Sequence, residues 1–242
     1  IDLSTIIRGL KLRQFLRLLF GREPHVMKPK WLKIDLTSKK STGETAGILA
    51  KHHMNTICTS GLCPNRSECW MARTATLMIG GDICTRKCRF CNTLSGRPRL
   101  LNPDEPRRVA ESVKALKLRY AVITSVDRDD LPDYGAAHWI KTIEEIRRLN
   151  PDTKIELLIP DFMGKADLIR QVMATHPHVA GHNMETVRRL TPSVRSVARY
   201  ERSLEVLREI ANCGITAKTG FMLGLGETHD EILETMDDIL ST

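Results

Sequence analysis

No stretch of the 242 residues approaches the roughly 20 consecutive apolar residues that span a bilayer. Arg8, Lys11, Arg13 and Arg17 interrupt the apolar residues near the start, which argues against a secretory signal. No lipidation signal and no nucleic-acid recognition motif are present. The hydrophobic (41%) and charged (27%) fractions are ordinary for a soluble globular protein, so disorder is disfavoured. A disulfide framework is also missing: the seven cysteines are an odd number, and six of them crowd between Cys58 and Cys91. Free thiolates at short spacing imply a reducing compartment, hence the cytoplasm.

The net charge of +8 is concentrated at one end. Residues 1–40 hold ten Lys/Arg against three acids, which leaves +1 for the other 202 residues. A basic arm of this kind is read as a solvated or partner-docking segment rather than a nucleic-acid or membrane anchor. Within it residues 4–20 fit a basic amphipathic helix, with Ser4 as N-cap and Gly21 as stop. The first residue is Ile1, so the numbered chain is read as a fragment or as lacking its natural start.

Three regions are expected: a basic N-terminal extension (1–27), a cysteine-bearing segment (28–73) and an α/β region (74–242). Within the second, 28–43 reads as a linker and 44–54 as a short helix. Strands are expected at 74–81, 120–126, 153–160, 178–183 and 215–226, and helices at 106–118, 136–149, 164–175, 200–214 and 227–240. Pro106 opens the first of these helices with Val109, Val113 and Leu116 on one face; Leu204, Leu207 and Ile210 face inward in the fourth, which Gly214 caps. Regular β–α alternation means parallel strands with right-handed crossovers, and five such units suit a partial (β/α) barrel. Functional side chains then belong to the loops after the strands.

Cys84, Cys88 and Cys91 form a C-x3-C-x2-C set directly after the first strand. Three thiolates on one tight loop can hold three irons of a cubane cluster and leave the fourth open. An open iron would chelate the amino and carboxylate groups of S-adenosylmethionine (SAM), whose reductive cleavage yields methionine and a 5′-deoxyadenosyl radical. Structural zinc is disfavoured, because it wants four ligands, usually as two C-x2-C pairs. Cys58, Cys63 and Cys69 (C-x4-C-x5-C) can hold a second cluster with a fourth ligand from elsewhere; Cys213 reads as a buried core thiol.

With these groups in place the sequence resembles the lipoyl synthase family. The stretches that carry the resemblance are KPKWLKI (28–34), ICTSGLCPNRSECW (57–70), GGDICTRKCRFCNTLSGRP (80–98), VITSVDRDDLPDYGA (122–136), IELLIPDF (155–162), HNMETVRRL (182–190), ARYERSLEVL (198–207) and KTGFMLGLGET (218–228). The resemblance implies a radical SAM barrel and insertion of two sulfurs at C6 and C8 of an octanoyl chain carried on a lysine. It implies that Cys84, Cys88 and Cys91 hold the SAM-cleaving 4Fe–4S cluster, and that Cys58, Cys63 and Cys69 hold an auxiliary 4Fe–4S cluster consumed as sulfur donor. The implied partners are an octanoylated lipoyl carrier domain or glycine-cleavage H protein, and an electron donor such as flavodoxin or ferredoxin.

For SAM contacts the strand-end loops offer Ser125, Asp127, Asn183, Glu185, Gly224 and Gly226. Asp127 to Asp130 fit a SAM contact and a solvated, self-paired turn equally well, and Gly224 and Gly226 fit backbone approach and simple turn geometry equally well. Arg199 and Arg202 read as structural ion-pair partners. In the family the auxiliary cluster's fourth ligand is a serine in an Arg-Ser-Ser-Tyr run after a sixth strand. No such run precedes Thr242, and Ser241 lies in the wrong element, so the chain is read as ending before that ligand. Two other readings remain: a methylthiolating relative with a different substrate, and a non-catalytic metal-stabilised module that would hold zinc and cleave no SAM.

Overall fold

The computed structural model describes residues 39–72 and 74–242. The basic arm, its expected helix over 4–20 and the first part of the expected linker lie outside the described residues. Five strands run parallel: β2 (Thr74–Ile79), β5 (Tyr120–Ser125), β6 (Lys154–Leu158), β7 (Val179–Gly181) and β8 (Thr216–Lys218). Period-two alternation fixes their faces. Leu77, Ile123 and Leu157 are fully buried on one face and lie in register across β2, β5 and β6. The opposite face carries Thr124, Glu156 and Lys218, with Glu156 held between Tyr120 Oη (2.6 Å) and Lys218 Nζ (2.6 Å).

Each parallel strand is followed by a helix: α4 (Glu105–Ala115), α5 (Ala136–Leu149), α6 (Ala166–Met173), α8 (Tyr200–Asn212) and α9 (His229–Leu240), with a short α7 (Thr191–Val194) before α8. Trp139, Ile143 and Ile146 form the buried stripe of α5 at helical spacing. Asp133 caps that helix, accepting from the Gly135 and Ala137 amides at 3.0 and 2.9 Å. A capping box between Thr228 and Glu231 starts α9. Consecutive helices pack side by side, α4 on α5, α5 on α6, α6 on α8 and α8 on α9, so they cover one face of the sheet in a row. The result is the partial barrel expected: an open sheet with five β/α units whose edges are β8 and a short antiparallel strand, β1 (Asn55–Thr56).

The cysteine-bearing segment departs from expectation. Helix α1 spans Lys39–Lys51, so Lys39 to Gly43 are helical rather than linker. Its packing against α3 (Arg66–Met71) and α4, with Leu49 in the core, overrides the turn propensity of Ser41-Thr42-Gly43. Two short helices, α2 (Ile57–Ser60) and α3, have no counterpart among the expected elements; β1 pairs with β2, and Met54, Cys58 and Trp70 share the core of the parallel strands. The strand expected over 215–226 is only three residues long: its pairing with β7 ends at Lys218, a single bridge joins Phe221 to Glu185, and the chain then turns at Gly224 and Gly226 with φ of +98° and +104°. Among the described residues no helix is long and apolar enough to cross a membrane.

Candidate functional site

Gly80 ends β2 with φ of +83°, and both its backbone groups are held by buried charge. Its amide donates to Glu105 Oε2 (2.8 Å), which also meets His138 Nε2 (2.5 Å), and its carbonyl accepts from Arg128 Nη1 (3.1 Å). The chain then forms β3 (Ile83–Cys84), which pairs in parallel with β4 (Leu94–Ser95), so that the loop bearing Cys88 and Cys91 is closed at its base. Cys84 Sγ accepts from the amides of Arg86 (3.4 Å) and Asp127 (3.3 Å). Such N–H···S contacts favour the thiolate, whereas burial, and then the Asp127 charge, push the isolated thiol up to about 11. A thiolate held this way suits bonding to iron, which supplies the missing positive charge.

Arg86, between Cys84 and Cys88, anchors this loop to the sheet. Its guanidinium is buried and meets Asp129 (2.7 Å), Asp161 (2.6 Å) and Asp127 (3.3 Å), from the ends of β5 and β6. Asp161 is fully buried and also pairs with Arg202 (3.1 Å), and its carboxyl is held well below the ordinary range because the Arg86 contacts outweigh burial. Burial and the charges of Asp129 and Asp161 push Asp127 up to about 6, with Arg86 pulling the other way. The Asp127-Arg128-Asp129-Asp130 run is therefore not a solvated turn. Arg128 does pair with Asp130 (2.8 Å), but it is buried, and Asp127 and Asp129 point to Arg86.

A cavity of about 370 Å³ opens over this loop at the C-terminal ends of the strands. Cys84, Cys88 and Cys91 line it together with Ser125, Asp127, Asn183 and Glu185, so four of the six expected SAM-contact residues share a wall with the three cysteines. Gly224 and Gly226 do not line it; they are exposed, and the Glu227 carboxylate accepts from the Gly224 and Leu225 amides in a local turn. Sequence reasoning misses two further wall residues, His182 and Arg195. Arg195 is 6% exposed, donates to Met184 O (3.2 Å) and Ser203 Oγ (2.7 Å), and has no carboxylate within ion-pair distance among the described residues. The C-terminal half of the HNMETVRRLTPSVR stretch is the available signal, since it holds arginines without acids after Glu185.

His182 bonds Ile159 O (2.9 Å) and Ser203 Oγ (3.0 Å), and burial, then the Arg195 charge, depress it from 6.5 to about 4. A folded-state value below the unfolded one means the unfolded chain binds the extra proton first. The resulting stability is complete above about pH 6.5 and is lost as the pH falls towards 4, by about 3 kcal/mol if no other group changes. Urea unfolding of the wild type should weaken over that window, and His182→Gln should flatten the slope.

The first cysteine group sits beside this cavity. Thr56 caps α2 by accepting from the Cys58 amide (3.2 Å), and the Cys63 amide donates to Cys58 O (3.2 Å). Burial, then the charges of Cys63 and Cys58, push Cys69 up. Ile57 and Gly61, from α2 and its end, line the 370 Å³ cavity, and Asn92 Nδ2, next to Cys91, donates to Ser60 O (2.6 Å). A second, more apolar cavity of about 620 Å³ adjoins the first across Met78, Asn92 and Thr93, lined by Leu49, Met54, Trp70 and Leu94. Cys213 is half-buried and packs on the core from outside rather than lying within it. No three His, Cys, Asp or Glu side chains among the described residues converge on a single metal ion. A cubane makes no such demand, because each thiolate binds a different iron.

Comparison with known proteins agrees with this geometry. The family model of the radical SAM superfamily matches residues 78–239. Lipoyl synthase of Porphyromonas gingivalis strain W83 is 63% identical over 218 residues, covering 90% of this chain and 77% of that protein. Lipoyl synthase of Bacteroides fragilis strain YCH46 is 59% identical over 221 residues, 91% of this chain and 77% of that protein. Among solved structures, methylornithine synthase superposes with a TM-score of 0.55 at 10% identity, over 98% of this chain and 64% of that one, a likeness of fold alone.

Proposed function

We propose, because this chain belongs to the lipoyl synthase family of the radical SAM superfamily, a division of labour in which one cysteine group drives SAM cleavage and the other supplies sulfur. The reaction is insertion of two sulfur atoms at C6 and C8 of an octanoyl group on a lysine of a lipoyl carrier domain. When bound, the two 4Fe–4S clusters and SAM supply the electron, the hydrogen-atom abstraction and the sulfur. An alkyl C–H offers no acidity for a general base, so the protein's own contribution is placement.

Cys84, Cys88 and Cys91 would hold the SAM-binding cluster on a loop fixed by Arg86, and Cys58, Cys63 and Cys69 the auxiliary cluster. Ser125, Asp127, Asn183 and Glu185 would meet the polar groups of SAM, and the guanidinium of Arg195 offers its carboxylate a buried counter-charge. We assign Gly224 and Gly226 only the turn that brings α9 back to the sheet. The apolar cavity beside Trp70 and Leu94 suits the octanoyl chain, since its lining is largely hydrocarbon. The observation that supports this reading most is the Asn92–Ser60 hydrogen bond, because it ties the loop of one cysteine group to the helix of the other. The substrate would be presented by an octanoylated carrier domain or H protein and the electron by flavodoxin or ferredoxin, in the cytoplasm.

The test is anaerobic reconstitution followed by SAM, a reductant and an octanoyl-lysyl peptide. 5′-Deoxyadenosine and a peptide heavier by two sulfur atoms are the expected products. Deoxyadenosine without thiolation would remove the substrate; zinc and no deoxyadenosine would remove the chemistry.

A further inference from the structure

The outer side of the SAM-cluster loop carries a charge pattern that the reaction itself does not use. Between Ile83 and Leu101 the chain holds five Lys/Arg and no acid. Arg86 is turned inward on its three aspartates, but Lys87 and Arg89, on either side of Cys88, are exposed. Their backbone is fixed: the Lys87 amide donates to Ser196 Oγ (3.0 Å) and the Arg89 amide to Val194 O (2.9 Å). These bonds seat the loop against the 194–199 segment, where Arg199 is also exposed and Val197 presents an apolar surface. An open depression of about 640 Å³ there is lined by Pro192, Ser196, Val197 and Arg199, and by Glu201, whose carboxylate is taken by Arg188.

Elsewhere the exposed arginines of this region find acids: Arg188 meets Glu201, Glu234 and Asp238, and Arg189 meets Glu231. Lys87, Arg89 and Arg199 make no ion pair with any described carboxylate. Like charges with no described carboxylate beside them stay solvated while alone, and attract a surface of opposite sign. They flank a cysteine that the site above assigns to the reducible cluster, so whatever docks there lies beside the atoms that must accept an electron.

We propose that Lys87, Arg89 and Arg199 form the docking surface for an acidic one-electron carrier protein that reduces the SAM-binding cluster. The proposal rests on the radical SAM reading of the site. The carrier gives up one electron and becomes oxidised by one equivalent; the cluster is reduced by the same electron, and no proton moves. Val197 provides the apolar contact, and the three cations the charged rim.

The test compares two reductants on the reconstituted full chain, reduced flavodoxin as the acidic carrier and dithionite as a small reductant that needs no docking. Lys87→Glu combined with Arg89→Glu should lower flavodoxin-driven deoxyadenosine formation about tenfold at low ionic strength, with the dithionite-driven rate unchanged. Equal rates with flavodoxin in the wild type and the variant would overturn the proposal. Should the double variant fail to hold its cluster, the wild type decides: its flavodoxin-driven rate must fall as salt rises while the dithionite-driven rate stays level, and a salt-independent carrier rate overturns the proposal. No deoxyadenosine with either reductant in the wild type would overturn the radical SAM reading and this surface with it.

Discussion

Replacing Arg86 by methionine should be among the most damaging single changes outside the cysteines. Arg86 is 5% exposed, and its guanidinium is the meeting point of three carboxylates, one of them, Asp161, without any exposure. Removing one partner of a buried ion pair leaves an uncompensated charge, which costs about 3–5 kcal/mol. Asp161 keeps Arg202, but Asp127 and Asp129 are a quarter exposed and recover part of their solvation, so the lower end of that range applies. Loss of Arg86 also removes the force that holds Asp161 well below the ordinary carboxylate range. With that part of the depression lost, the variant gains less stability than the wild type as Asp161 ionises, so the destabilisation should be smaller in acid and grow as the pH rises. Because Arg86 tethers the loop between Cys84 and Cys88, iron content should fall to about four per chain, the complement of one cluster. Arg86→Lys keeps one charge but loses the bidentate grip on Asp129, and should sit between the two. Urea unfolding and iron assay read both effects; unchanged stability and unchanged iron would remove Arg86 from the account.

The second large effect separates the two cysteine groups. Changing Cys58, Cys63 and Cys69 together to alanine should abolish thiolation of an octanoyl-lysyl peptide while leaving SAM cleavage to 5′-deoxyadenosine. The reason is spatial. The 370 Å³ cavity proposed for SAM is walled by Cys84, Cys88 and Cys91 and by the ends of β5 to β7, and takes Ile57 and Gly61 from the first segment. Cys58 is in the core, so the triple change opens a small void and lowers stability, by an amount to be read alongside in a thermal melt. Loss of deoxyadenosine in a variant that melts normally would show that the groups are not independent. Retained thiolation would show that sulfur comes from elsewhere.

Much of this arrangement is legible in the amino-acid order alone. The apolar periods of β2, β5, β6, α5 and α8 mark the elements within a few residues, because each buries a continuous stripe, as Trp139, Ile143 and Ile146 do. Cysteine spacing points to the cluster loop, and strand-end position to Ser125, Asp127, Asn183 and Glu185. What stays hidden depends on contacts between distant residues. Nothing in Cys84-Thr-Arg-Lys-Cys88 tells that Arg86 turns inward while Lys87 turns out; the aspartates that decide it lie 43 and 75 positions away. The run Asp127-Arg128-Asp129-Asp130 leaves a ligand contact and a self-paired turn equally open, because its neighbours in sequence are visible and Arg86, its neighbour in space, is not. Lys39 to Gly43 look like linker for the same reason, since the partners of α1 are α3 and α4.

In the proposed division of labour, the sulfur delivered to the substrate would come from the group held by Cys58, Cys63 and Cys69. The direct measurement reconstitutes the chain with heavy-isotope sulfide, removes the excess, and runs a single turnover with SAM and an octanoyl-lysyl peptide in unlabelled buffer. Both sulfur atoms in the peptide should be heavy, and the Cys58/Cys63/Cys69 variant should transfer none. Light sulfur in the wild-type product, or heavy sulfur from the variant, would contradict it.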